Sequence, residues 1–140
     1  MTRKSKISMT ICVALIATAT AFTSCKKEND AHTPPTVVFK TTAGYLSAND
    51  TVSMSDTLLV GIIADKTEDD MKTFNVSYAY DGAATTTTKD NFTLTTAEEN
   101  HYEKDYTIIT RNVAGSERWV FTITDRDGNI TSLTITLTVI

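Results

Sequence analysis

The chain has 140 residues with 13 basic and 17 acidic side chains, and five of the basic ones (Arg3, Lys4, Lys6, Lys26, Lys27) fall near its start. From Thr36 onward 8 basic residues face 15 acidic ones, a net charge of −7, which excludes a nucleic-acid partner because phosphate binding needs clustered Lys and Arg. Cysteine occurs only as Cys12 and Cys25, so the region after Thr36 has neither a disulfide nor a thiolate metal cluster and must be held by packing.

A basic start and an apolar run from Ile7 to Phe22 have the layout of an export signal. The run falls short of the roughly 20 apolar residues that a membrane span needs, and Thr18, Thr20 and Thr23 dilute it. Cleavage after Ala19-Thr20-Ala21 by an ordinary signal peptidase would leave Cys25 as a free thiol. The segment Phe22-Thr23-Ser24-Cys25, followed by the polar run Lys26-Lys27-Glu28-Asn29-Asp30, resembles instead the signal and export tail of surface lipoproteins from the Bacteroidota. That resemblance implies that residues 1–24 are removed and that Cys25 opens the mature chain. It also implies that this Cys carries three acyl chains, palmitate among them, and that the protein sits at the bacterial outer membrane, facing outward. Each buried CH₂ contributes about 0.8 kcal/mol, so several chains make a stable anchor.

Residues 25–35 read as a polar tether ending in Pro34-Pro35, which favours an extended backbone. Roughly 105 residues then remain, the size of one domain. They include 22 threonines among frequent Val, Ile, Tyr and Phe, a composition that suits a pleated surface. No stretch repeats apolar residues at i, i+3, i+4 and i+7, so no core helix is expected.

In chain order, strands are predicted over Thr36 to Lys40, Thr51 to Met54 and Thr57 to Ala64, with a turn at Ala43-Gly44 after the first. Leu58, Leu59, Val60, Ile62 and Ile63 are apolar at nearly consecutive positions, which marks the third strand as central. Asp65 to Asp70 forms a charged loop. Lys72 to Tyr80 alternates, with Phe74, Val76, Tyr78 and Tyr80 on one face, and Asp81-Gly82 signals a turn. Ala83 to Thr96 is Thr-rich and holds one short strand near Phe92 and Leu94. A further strand spans Glu103 to Thr110 with Tyr106 and Ile108 inward.

The last two strands give the clearest pattern. Trp119, Phe121 and Ile123 alternate with Val120, Thr122 and Thr124. After the turn at Asp125-Arg126-Asp127-Gly128-Asn129, Leu133, Ile135, Leu137 and Val139 alternate with threonines. A slip of one residue would turn four aliphatic side chains out to water, so this register is fixed. About seven short strands, with turns roughly every ten residues, predict an all-β, antiparallel sandwich. The stretch from Gly115 to Asn129 and the strand after it resemble the closing hairpin of bacterial immunoglobulin-like and PKD-like domains, without the antibody-type cysteine pair. The resemblance implies a fold that serves binding, adhesion or spacing alike.

Candidate site residues are few. Asp125, Asp127 and Asn129 give the last turn the oxygen-rich look of a calcium loop, and Asp65, Glu68, Asp69 and Asp70 form a second acidic group. Calcium wants six to eight oxygens, however, and Asp and Gly are also what a tight turn requires. Neither a Gly-x-Ser-x-Gly elbow, a His-Glu-x-x-His pair nor a Gly-rich phosphate loop occurs. Glu98-Glu99 are adjacent and point apart, so they do not make a glycosidase pair. No cofactor is implied. Among the aromatics, Trp119, Phe121 and Phe74 belong in the core, whereas Tyr102 and Tyr80 are the candidate exposed ligand-binding residues. Asp50-Thr51-Val52 and Asp56-Thr57-Leu58 resemble the O-glycosylation sequon of exported Bacteroidota proteins, which implies modification at Thr51 and Thr57.

The sequence therefore predicts a non-catalytic, lipid-anchored envelope protein that presents one immunoglobulin-like domain for a glycan or protein ligand. Its binding loops would lie at the end away from the membrane, at Asp81 to Thr88 or Asp65 to Asp70. The alternative is an accessory subunit of an outer-membrane uptake or secretion complex, which an exposed apolar patch or a bare edge strand would favour.

Overall fold

The computed structural model describes residues 32–140, so the signal segment and Cys25 lie outside the described residues. Eight strands and no helix occur among them: β1 (Thr36–Phe39), β2 (Asp50–Val52), β3 (Thr57–Asp65), β4 (Met71–Tyr80), β5 (Thr87–Thr93), β6 (His101–Ile109), β7 (Gly115–Asp125) and β8 (Ile130–Val139). They form a three-stranded sheet in the order β1-β3-β6 and a five-stranded sheet in the order β2-β8-β7-β4-β5. All neighbours are antiparallel except β2 and β8, which run parallel. The chain changes sheet between β1 and β2, along one edge. This order is that of an immunoglobulin-like β-sandwich.

Alternation builds the core. Trp119 stands opposite Ile135 and Phe121 opposite Leu133 across the β7–β8 hairpin, and Trp119, Phe121, Ile123, Ile135, Leu137 and Val139 are all buried. Phe121 joins the two sheets. Its ring meets Phe39 edge-on at 6.0 Å and Tyr106 at 6.0 Å, both on the facing sheet, and stacks on Phe74 at 6.4 Å beside it. Such ring pairs add about 0.5–1.5 kcal/mol to what burial alone provides. As its apolar run predicts, β3 is the middle strand of its sheet, with Val60 and Ile62 fully buried. Gly61, between them, leaves room for the Lys40 side chain, whose carbons would lie only 2.5–2.7 Å from an added Cβ.

The domain has a distinct direction. Thr36 pairs with Asp65, and the Thr131 hydroxyl donates to the Pro35 carbonyl at 2.6 Å. The tether therefore enters at the end that carries the Asp65–Asp70 loop and the Asp125–Asn129 turn. Contrary to the sequence reading, the Asp65–Asp70 loop is not at the end away from the tether; β3 runs toward the tether end and delivers its loop there. The Asp81 to Thr86 connection lies at the opposite end, about 30 Å away along the ten residues of β4.

Truncating the ring that joins the sheets should be costly. Phe121→Ala is expected to lose about 3–5 kcal/mol in urea unfolding with an unchanged m value. Ile130→Ala, at a side chain that is 58% exposed, should stay within about 0.5 kcal/mol.

Candidate ligand-binding site

Five strands cannot be covered by three, and the flank between edge strands β5 and β6 shows the consequence. Midway along it the gap is closed: the Tyr106 hydroxyl donates to Asp90, and the Lys104 ammonium sits 4.8 Å from the Phe92 ring centre. Nearer the end away from the tether the flank opens into a recess of about 160 Å³, lined by Tyr78, Tyr80, Lys89, Tyr106, Thr107, Ile109 and Trp119. Tyr78 and Tyr80 face inward in the alternation of β4 but have no strand opposite, so both remain half-buried. Their rings lie 4.7 Å apart, and Tyr78 packs 5.5 Å from Trp119. Neither phenol hydroxyl has a hydrogen-bond partner among the described residues, whereas that of Tyr106 is taken by Asp90. Burial, then Asp90, raises the Tyr106 pKa; burial, then Glu117, raises that of Tyr80.

Lys89 reaches the recess through a bulge. Val76 pairs with Asp90 and Ser77 with Thr88, so Lys89 is the extra residue of β5, and such insertions redirect a side chain. It makes no ion pair among the described residues.

A polar network fixes the wall of the recess. Glu117 is fully buried, and its carboxylate accepts from the Arg111 backbone N–H at 2.7 Å, from Arg111 Nε at 3.3 Å and from the Trp119 indole N–H at 3.0 Å. Arg111 also donates two bonds to Asp81, at 2.8 and 2.9 Å, and lies 4.1 Å over the Tyr80 ring. The guanidinium holds the Asp81 carboxyl below the usual range, with help from the Ser116 N–H. Asp81 and Gly82 both have positive φ, at 52° and 77°, as the Asp-Gly turn signal predicts. Gly115 is required where β7 starts, because its φ is +153° and an added Cβ would come within 2.3 Å of Asp81 Oδ1.

Of the residues singled out from sequence, Tyr80 lies in the recess. Tyr102 does not: it is buried, 4% exposed, and packs 5.5 Å from Phe74. β6 begins at His101, two residues earlier than predicted, which places Tyr102 in phase with inward Tyr106 and Ile108. Burial pushes its hydroxyl up to about 12.

The calcium candidates are occupied by the turn itself. Asp125 is buried, and its carboxylate accepts from the Asp127 N–H at 3.0 Å, the Asn129 N–H at 2.8 Å and Asn129 Nδ2 at 2.9 Å. The two acidic loops do meet, but Arg126 lies between them, bonded to Asp69, to the Asp70 carbonyl and to Asp127. No group of three or more metal-binding side chains forms among the described residues. Glu98 caps a local turn by accepting from Thr95 N–H and hydroxyl, both at 2.8 Å. Thr51 and Thr57 are exposed, and each backbone N–H is held by the preceding aspartate, at 2.7 and 2.8 Å.

No protein-family model and no curated protein matches the chain. Among solved structures it is similar to part of a beta-glucosidase from Listeria innocua, crystallised in complex with glucose, at 9% identity and a TM-score of 0.46. That match covers 74% of this chain but only 16% of the enzyme. Murine CRIg is similar at 12% identity and a TM-score of 0.41, over 76% of this chain and 98% of that one. Neither likeness adds to what the strand order establishes.

Two measurements probe this geometry. Arg111→Leu should cost about 3 kcal/mol in urea unfolding, near the lower limit for breaking a buried pair, because the Glu117 carboxylate keeps the indole and one backbone donor. On the outer face of the small sheet, His101 sits between Asp65 at 2.7 Å and Glu103 at 3.2 Å, and those bonds raise its pKa above 6.5. A raised folded value means that the stabilisation is complete below the unfolded pKa and fades as pH rises through the folded one. His101→Gln should therefore lower the thermal midpoint more at about pH 5.5 than at about pH 8.5; an equal loss at both would remove the imidazolium from the account.

Proposed function

We propose that this chain is a non-catalytic binding module, held at the bacterial outer-membrane surface by a lipid on Cys25 and using the flank recess as its ligand site. The observation that carries this reading is the recess itself. Aromatic rings, two phenol hydroxyls and an ammonium, none of the three polar groups paired among the described residues, converge there, which is the usual make-up of a small-molecule site. Its position agrees with display from a membrane, because the tether enters at the other end of the sandwich. The recess contains no nucleophile paired with a base and no facing pair of carboxylates, so its chemistry suits holding a ligand rather than transforming one. O-glycosylation at Thr51 and Thr57 is compatible with their exposure.

A second reading, an accessory subunit of an envelope complex, draws support from one feature. Met54, Val113 and Ile140 are 42%, 61% and 67% exposed, and they lie at the end away from the tether, where Met54 N–H bonds the Ile140 carbonyl. That apolar tip would suit a protein contact. The free edges of β5 and β6 favour it less, since Lys89, Lys104, Asp90 and Glu103 protect them against strand addition.

The anchor is tested by intact-mass measurement of the membrane fraction. An acylated chain starting at Cys25 is the expected product, and Cys25→Ala should move the protein to the soluble fraction. A soluble wild-type chain starting at Phe22 would refute the anchor.

A further inference from the structure

We infer that the flank recess binds a six-membered ring carrying a carboxylate, with the ring against Tyr78, beside Tyr80 and above the buried Trp119, and the carboxylate on Lys89. This inference rests on the recess being the ligand site. Size sets the first limit: about 160 Å³ is close to the engineered cavity that admits benzene, so one ring fits within the recess and any further unit of a larger ligand would lie outside it. The walls set the second. Tyr80 is held by the Arg111 guanidinium 4.1 Å over its ring and by the Tyr78 ring at 4.7 Å, so it serves as a rigid side wall. Trp119 is locked by its indole bond to Glu117 and is 3% exposed, so it closes the floor of the recess and offers a ligand neither its N–H nor an open face.

Charge sets the third limit. The carboxylates near the recess are already engaged: Asp90 by Tyr106, and Asp81 and Glu117 by Arg111. Among the described residues Lys89 is the one lining cation, and it has no ion-pair partner there. An anion adds direct charge attraction to the hydrogen bond that this exposed ammonium would give any acceptor, a contribution of about 0.2–1 kcal/mol for a solvent-screened pair. The same ring-plus-carboxylate chemistry comes from an acidic sugar residue or from an aromatic acid. The Tyr78 and Tyr80 hydroxyls, without partners among the described residues, favour the sugar, whose ring hydroxyls would engage them.

Trp119 is the chain's single tryptophan, so its fluorescence reports on the recess directly. Full-length protein, purified from membranes in detergent, is titrated with glucuronate, glucose and 4-hydroxybenzoate. Glucuronate is expected to change the emission with saturation, glucose to bind about two- to fivefold more weakly, and Lys89→Gln to remove that preference, while Lys89→Arg retains it. Stronger saturation by 4-hydroxybenzoate than by glucuronate, still dependent on Lys89, would keep the carboxylated ring and assign it to an aromatic acid. Equal binding of glucose and glucuronate, or affinity unchanged in Lys89→Gln, would overturn the carboxylate assignment and leave the recess as a site. No change with any of the three probes, in protein whose circular dichroism shows it folded, would overturn the site along with its ligand.

Discussion

The buried carboxylate of Glu117 constrains this structure more than any other group. Taking an ion out of water costs several kcal/mol unless donors replace the lost solvent, and here three do so from two directions. Because the Arg111 backbone supplies one of them, the connection from β6 to β7 has to cross the end of the sandwich in one conformation. Because Arg111 also grips Asp81, the left-handed turn after β4 is drawn to the same place. A polar group thereby fixes how two loops and one indole sit, which apolar packing does not specify so sharply.

That fixed point gives the molecule its two unlike ends. At the tether end, charge closes the surface: Arg126 bridges the Asp69 loop and the last turn, and Lys66 bonds Asp70 at 2.6 Å. At the other end the cation is drawn inward to Glu117 and the aromatic side chains are left partly uncovered. Partly exposed charge pairs close the end where the chain enters, and the buried network with the half-buried tyrosines beside it lies at the far end.

Much of the fold was legible because its elements alternate. The β7–β8 hairpin reads directly from Trp119-Val120-Phe121-Thr122-Ile123 and its partner strand, and a single register satisfies both. Legibility failed where a strand end was disguised by polar residues. Tyr102 sits between His101 and Glu103, so local polarity suggested a loop, although its phase with Tyr106 marked it as inward. Glu117 gave a comparable signal: it occupies the inward phase of Trp119 and Phe121, and a charge in that phase announces a buried network. Lys89 gave none, since a bulge depends on pairing with β4 and leaves no trace in β5 alone.

The recess follows from the same accounting of strands. A five-stranded sheet offers more inward-facing side chains than a three-stranded one can meet, so some of β4 and β5 must find cover elsewhere. Along the middle of the flank, long side chains supply it: Tyr106 extends to Asp90, and Lys104 lays its stem across Phe92. Beyond Ile109 the cover is only partial, because β6 ends there and the chain leaves to make the Arg111 contacts, which lay the guanidinium over Tyr80 but not over Tyr78. The Glu117 network and the open recess are thus one feature seen from two sides, since the crossing that satisfies the buried carboxylate also ends the cover that β6 gives this flank, leaving Tyr78 and Tyr80 half-buried.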